Sequence, residues 1–453
     1  MAGRSPFFLL THDLPPDAMT YAETLDFLFN SLPMYQRQGK AAYKANLDNT
    51  HRLDKATGHP YRSYPCIHIA GTNGKGSVSH MLASVLQQAG IRTGLYTSPH
   101  LLDFRERIRI SGRPIPEEEV TGFVERYQAL IREITPSFFE MTVAMAFEHF
   151  ARQKVDVAVI ETGLGGRLDS TNIISPVLSV ITNISLEHTE FLGSDLPSIA
   201  REKGGIIKAG VPLVLGRSEK AYDHVLLDMA GKLKAPLTRA DKTYSPLFHT
   251  LDQEGNMILR IRHNESGTTE SYTCDLTGLY QQENLITALT AIRILQQSGW
   301  SLPPAALEKG FSSVSANTGI MGRWQSIGSN PRSICDTAHN RDGIAAVMEQ
   351  LEQVPRKELH MVWGMVSDKD LESILPLLPQ GARYYFTPSS VPRSMDAGEL
   401  RRAAAAKGLE GKAYPSVEEA YRAARQSAGP DDLIFTGGST FVVADLLSSA
   451  LIS

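Results

Sequence analysis

At 453 residues the chain exceeds what one hydrophobic core usually holds, so two or three domains are expected. An apolar fraction of 42% is ordinary for a globular enzyme, and 45 basic against 49 acidic residues leave no basic field for nucleic acid or an anionic membrane. Cys66, Cys274 and Cys335 are too scattered for a disulfide framework or a zinc site, no apolar run nears the ~20 residues of a membrane span, and 7–10 is too short for a signal-peptide core, so a cytoplasmic protein is expected. Residues 1–18 carry three prolines and no periodicity. Helical spacing starts at Met19, with Tyr21, Leu25, Leu28 and Leu32 on one face, and 41–60 is polar with helical fragments.

The next stretch carries chemistry. An apolar run, Cys66-Ile67-His68-Ile69-Ala70, leads into Gly71-Thr72-Asn73-Gly74-Lys75-Gly76-Ser77 and then an amphipathic helix. Glycines let backbone N–H groups point inward, the helix N-terminus adds partial positive charge, and Lys75 adds a full one. Gly74, Lys75, Gly76 and Ser77 are therefore candidate phosphate ligands. The common P-loop is G-x-x-x-x-G-K-[ST]; here Ile69 stands at its first glycine and Gly76 directly follows Lys75. A bare glycine-rich turn is the bland alternative, disfavoured because Lys75 and Ser77 fall at the helix entry.

Residues 92–97 read as the next strand, giving a βαβ unit and a parallel sheet, and the strand ends in Ser98-Pro99-His100-Leu101. Glu117–Ile134 and residues 138–153 read as amphipathic helices. The buried strand 155–161 ends in Glu161, a carboxylate placed to hold Mg²⁺ directly or through water. Thr162-Gly163-Leu164-Gly165-Gly166-Arg167-Leu168-Asp169-Ser170-Thr171-Asn172 follows, with three glycines for close backbone approach and charges of both signs. Strand 177–184 ends in Ser185-Leu186-Glu187-His188. Lys203, on its own chemistry, reads as an ordinary surface lysine. Residues 212–216 form a strand, 240–275 alternate as a small antiparallel sheet, and 278–288 open a helix. Residues 312–322 are rich in Ser, Asn and Gly and read as an interdomain linker; a second α/β pattern follows with strands near 332–336, 359–364, 382–386 and 432–436.

The G-T-N-G-K-G-S loop, the run E-T-G-L-G-G-R-L-D-S-T-N, G-R-W at 322–324 and D-T-A-H-N at 336–340 together resemble folylpolyglutamate synthase and dihydrofolate synthase, within the Mur-type amide ligases. The resemblance covers nearly everything from about residue 20 onward. It implies an α/β fold: a P-loop-containing, mostly parallel sheet domain with a small antiparallel sheet (19–314), a linker (315–322) and a smaller Rossmann-like domain (323–453), with 1–18 a dispensable extension. It implies ATP-dependent addition of L-glutamate to folate or dihydropteroate through an acyl phosphate, with Mg²⁺ and a monomeric chain. Ser98, Glu161, His188 and a carbamylated Lys203 are implied metal ligands. Asn284, Arg323 and Asp336 are implied ATP contacts. Phe139, Glu140, Thr142, Arg167, Leu168, Asp169 and Ser170 are implied to face the pteroyl substrate, and His339 the glutamate side. Lys75, Lys203 and His339 are the implied catalytic residues. Met321 replaces a proline of that pattern, Gly204 an alanine, and Glu187 the usual aspartate. A cell-wall Mur ligase would use the same ATP chemistry, but the R-L-D-S-T-N run and the S-P-H-L loop argue against it. A regulatory P-loop NTPase leaves D-T-A-H-N unexplained, and a non-catalytic folate carrier leaves the phosphate loop unexplained.

Overall fold

A computed structural model describes residues 19–34, 46–367 and 369–452. The expected extension 1–18 lies outside the described residues. Eight strands, β1 (Cys66–Ala70), β2 (Thr93–Tyr96), β3 (Ile108–Ile110), β4 (Arg113–Pro114), β5 (Val157–Glu161), β6 (Leu178–Ile181), β7 (Leu213–Leu215) and β8 (Leu237–Arg239), form one sheet in the order β4-β3-β2-β5-β1-β6-β7-β8. It is parallel from β2 to β8, with β3 and β4 antiparallel at one edge. β1 and β5 are buried along their whole length, because helices cover both faces.

One face packs on the helices Tyr21–Ser31, Glu117–Ile134 and Phe138–Arg152, through Leu28, Phe123, Val124 and Phe147. The other packs on the helix Lys75–Gln88, buried from Ser77 through Leu86 because the helices Gln281–Gln297 and Pro304–Ser312 wrap its far side. The helix is thus held by a core from its first turn onward, while its entry at 74–76 faces the cleft. β9 (Tyr244–Leu251), β10 (Met257–His263) and β11 (Thr269–Cys274) form the expected small antiparallel sheet, burying Met257, Leu259, Ile261 and Cys274 in the same core.

The carboxyl-terminal sheet adds β12 (Gln325–Ser329), β13 (Arg332–Cys335), β14 (Leu359–Trp363), β15 (Arg383–Phe386), β16 (Gly411–Ala413) and β17 (Leu433–Gly437), ordered β12-β13-β17-β14-β15-β16. β12 and β16 escape the sequence reading because both are polar edge strands with a largely solvated face.

The stretch read as a linker is structured in its first half. Val314–Thr318 is a helix whose first amides, on Val314 and Ser315, donate to the Asp275 carboxylate at 3.0 and 2.8 Å. Its polar composition misled because Val314 and Thr318 are the buried positions and Ser, Asn and Gly serve its ends. Residues 319–322 make the crossing. Beneath it the halves are tied by part-buried polar bonds. Across it, Asp336 accepts from the Tyr280 hydroxyl, and Gln350 accepts from the Leu279 amide at 2.7 Å and donates to the Thr277 carbonyl at 3.1 Å; within its own half Asp336 also accepts from the Trp324 amide at 2.7 Å. Among the described residues no helix is long and apolar enough to cross a membrane.

Candidate active site

The carboxyl ends of β5, β1 and β6 open into a cleft of about 880 Å³ between the two sheets. Ile69 lies opposite Glu161 on one side and Val180 on the other, so three adjacent strands deliver Glu161, the glycine-rich loop and the 182–188 segment at one level. Gly74 begins the central helix at φ 82°, a conformation that strains any L side chain, and a Cβ there would meet Asn284 Oδ1 at 2.2 Å. Lys75 Nζ donates to the Gly71 and Thr72 carbonyls, both at 3.0 Å, which holds its ammonium over the loop. Ser77 Oγ accepts from Gln281 Nε2 at 3.2 Å.

Gly76 marks where the two halves meet at the loop. A Cβ there would have as nearest neighbours Arg323 Nη2 at 3.5 Å and Glu161 Oε1 at 3.8 Å. Protein atoms alone would tolerate a methyl group; a phosphate on the loop would not. Gly76→Ala is expected to keep its melting temperature while losing on the order of a hundredfold in ATP-dependent turnover. Thermal melting and a turnover assay check both halves. Arg323, from beyond the crossing, thus reaches the glycine-rich loop.

Glu161 is buried and accepts from the Ser98 amide at 2.9 Å. Burial pushes its carboxyl up, while Lys75, the Ser98 amide and Arg323 pull it back. Burial pushes the His188 imidazole down to about 4, so the ring is neutral at pH 7 with a lone pair to offer. Burial also pushes the adjacent Glu187 carboxyl up, yet His339 and His188 hold it well below the usual range. Buried carboxylates and a neutral imidazole lining one cleft are donors that suit a hard divalent cation, so the residues fit Mg²⁺.

Lys203 departs from the surface lysine its own chemistry suggested. It is 2% exposed, and its Nζ donates at 2.6 Å to the Gly71 carbonyl that Lys75 also uses. Burial and the Lys75 charge push its ammonium down to about 7, against the pull of Glu187 and Asp169.

The seven residues expected to face the pteroyl group do not line the cleft; Gly163, Leu164 and Gly165 do. Asp169 folds that loop, accepting from the Gly163 and Leu164 amides at 2.8 Å each and from the Thr171 amide at 3.0 Å. Phe139 packs so closely on Gly163 that a Cβ there would sit 2.4 Å from its ring. Glu140 caps its own helix, accepting from the Ser137 amide at 2.6 Å, and Thr142 shares a 2.9 Å bond with Tyr96. Arg167 is exposed and paired with Glu202, Leu168 is half-buried, and Ser170 is buried in a short turn. The glycine-rich motif was legible as a site, but its charged members shape the loop and its backbone faces the cleft. Asp169→Asn reverses the bonding polarity at one carboxylate oxygen and is expected to lower the unfolding free energy by about 1–3 kcal/mol in a urea titration.

Asn284 is buried, with its Nδ2 on Gln281 Oε1 at 2.8 Å and its Oδ1 against Gly74. Asp336 lines the cleft, but its oxygens already accept from Tyr280, Trp324 and Ala338. His339 Nδ1 bonds the Thr337 carbonyl at 3.0 Å, and its Nε2 lies 3.3 Å from Glu187 Oε1. Sequence reasoning missed Glu187, Asn73 and Asn340 as members of this site; only the charge beside His188 and the place of Asn73 in the loop signalled them.

Fold and cleft together define a Mur-type ligase: residues 69–292 match the Mur ligase middle domain, and 322–440 match the Mur ligase glutamate ligase domain. The chain is 31% identical to the folylpolyglutamate synthase of Lacticaseibacillus casei over 96% of its own length and 99% of that protein. It is 33% identical over 94% of its length to a probable bifunctional folylpolyglutamate synthase/dihydropteroate synthase of Haloferax volcanii, of which it spans only 50%. The Yersinia pestis bifunctional folylpolyglutamate synthase/dihydrofolate synthase, solved with AMPPNP and a Mn ion, superposes with a TM-score of 0.81 at 30% identity, over 96% of this chain and 99% of that one. The chain belongs to the folylpolyglutamate synthase/dihydrofolate synthase family. It is an ATP-dependent acid–amino-acid ligase that works with a divalent metal.

Proposed function

We propose that this chain, as a monomeric cytoplasmic enzyme, joins the α-amine of L-glutamate to the terminal carboxylate of a folate, and on dihydropteroate adds the first glutamate. One observation carries the reading: a cleft of about 880 Å³ at the glycine-rich loop, where Arg323 from one half and Glu161 from the other meet beside Gly76 and Lys75.

The amides of residues 74–77 and the Lys75 ammonium hold the ATP phosphates, and Asn284 and Asp336 border the nucleotide. The folate carboxylate attacks the γ-phosphorus, ADP departs, and an acyl phosphate forms. Charge develops on phosphoryl oxygens in this step, so Lys75, Arg323 and the loop amides act where they are strongest. A divalent ion held by Ser98, Glu161, His188 and Lys203 carrying a carbamate would neutralise the same oxygens. The glutamate amine then attacks the acyl carbon and phosphate leaves, with His339 on the glutamate side. The 163–165 loop, shaped by Asp169 and Phe139, borders the pteroyl group.

The test is a product assay with ATP, Mg²⁺, labelled glutamate and each pterin in turn. Glutamylated pterin with matched ADP and phosphate is the expected result. ATP turnover with no amide product on any pterin would overturn the reading.

A further inference from the structure

Glu187 is a buried carboxylate that reaches across the cleft. It follows β6 in the first half, yet its Oε1 lies 3.3 Å from His339 Nε2 and accepts at 3.2 Å from Asn340 Nδ2, both in the second half. His339 is held from two sides, because its Nδ1 is engaged by the Thr337 carbonyl at 3.0 Å. Asn340 caps the helix Arg341–Gln353 by accepting from the Gly343 amide at 2.9 Å. The same Asn340 exchanges two hydrogen bonds with Asn73 of the phosphate loop, at 2.9 and 3.3 Å. One buried carboxylate, one imidazole and two amides therefore connect the nucleotide loop, a helix N-terminus and the far wall of the cleft.

We infer that Glu187 is a positioning residue that clasps the two sides of the cleft and fixes the His339 ring for the incoming amino acid; this rests on the glutamate-ligase reading above. Arm length is the reason it works. Removing one methylene withdraws the carboxylate by about 1.5 Å, beyond hydrogen-bond reach of groups now 3.2–3.3 Å away. The Asn73–Asn340 amide pair needs no contribution from Glu187, so the nucleotide loop stays tied. The loss should therefore fall on the amino acid and leave the nucleotide nearly untouched.

The experiment uses the full chain and measures steady-state KM and kcat for ATP and for L-glutamate, with a folate fixed at saturation, in wild type, Glu187→Asp, Glu187→Gln, His339→Gln and the double variant Glu187→Gln/His339→Gln. Glu187→Asp is expected to lose about tenfold in kcat/KM for glutamate, chiefly through KM, with the KM for ATP changed by less than about threefold. The double variant should be no worse than the weaker of its two single variants, because both act through one contact. Melting temperature and binding of a non-hydrolysable ATP analogue confirm folding, and Glu187→Asp alone decides the matter where Glu187→Gln fails to fold. Wild-type glutamate kinetics in Glu187→Asp, equal losses for ATP and glutamate, or additive single and double variants would each overturn the clasp while leaving the ligase reading intact. A wild-type chain that makes no glutamylated product overturns the ligase reading, and the clasp with it.

Discussion

Lys75→Ala should lower ligation by on the order of a thousandfold while moving the melting temperature by no more than about 3 °C. The ammonium donates to the Gly71 and Thr72 carbonyls, and the Gly71 carbonyl keeps its bond from Lys203 when Lys75 is removed. The helix it opens is held by the core from Ser77 to Leu86, so the loop keeps its framework. What disappears is the charge that offsets the phosphoryl oxygens during transfer. Initial-rate product assays beside a thermal melt separate the two effects. An alanine variant that still forms amide product with ATP would remove the phosphate role from this loop.

Lys203→Met carries the second large effect, with opposite signs for activity and stability. The folded-state ammonium is pushed down to about 7, below its ordinary value near 10.5. Between those values the unfolded chain binds a proton that the folded chain does not, so the penalty of burying Lys203 is complete below pH 7 and fades as pH rises toward 10.5. Methionine fills similar space without a charge. The metal-free variant should therefore unfold later than wild type at pH 6–7, by on the order of a few kcal/mol, and the gap should narrow by pH 9. Activity should nonetheless vanish. A lysine that is substantially neutral at pH 7 can add to CO₂, releasing a proton and becoming a carbamate, which suits a cation as the ammonium does not. Wild-type activity should fall in CO₂-depleted buffer and return with bicarbonate, and Lys203→Ala should regain part of its activity in acetate. CO₂-independent turnover, or a Lys203→Met variant less stable than wild type at pH 6, would falsify this account.

The parts of the site that were legible in the sequence are those where backbone demands and chemistry coincide. Gly74, Lys75 and Ser77 stand at a strand-to-helix turn that only a few residues can make, and Glu161 ends a strand buried on both faces. What sequence could not resolve is which polar atoms face inward. Asp169 and Arg167 sit two positions apart in one motif, yet the first is buried beneath the loop amides and the second pairs with Glu202 in solvent. Lys203 was illegible as a buried group because its helix Leu196–Lys203 is amphipathic and ends in charged residues; only the fold sets its last turn against Gly71. The polar run before residue 319 read as a linker for the same reason, since composition does not reveal that Asp275 waits to cap it.

The ties beneath the crossing bear on how damage spreads through the molecule. Tyr280 with Asp336, and Gln350 with Leu279 and Thr277, join the halves through part-buried bonds. Melting of either half breaks these bonds, so each half contributes to the stability of the other. A core substitution in the C-terminal sheet, at Ile334 or Phe435, is therefore expected to weaken the support that the first half draws from these bonds. A variant that loses ligation therefore says nothing about nearness to the cleft until its folded fraction is known.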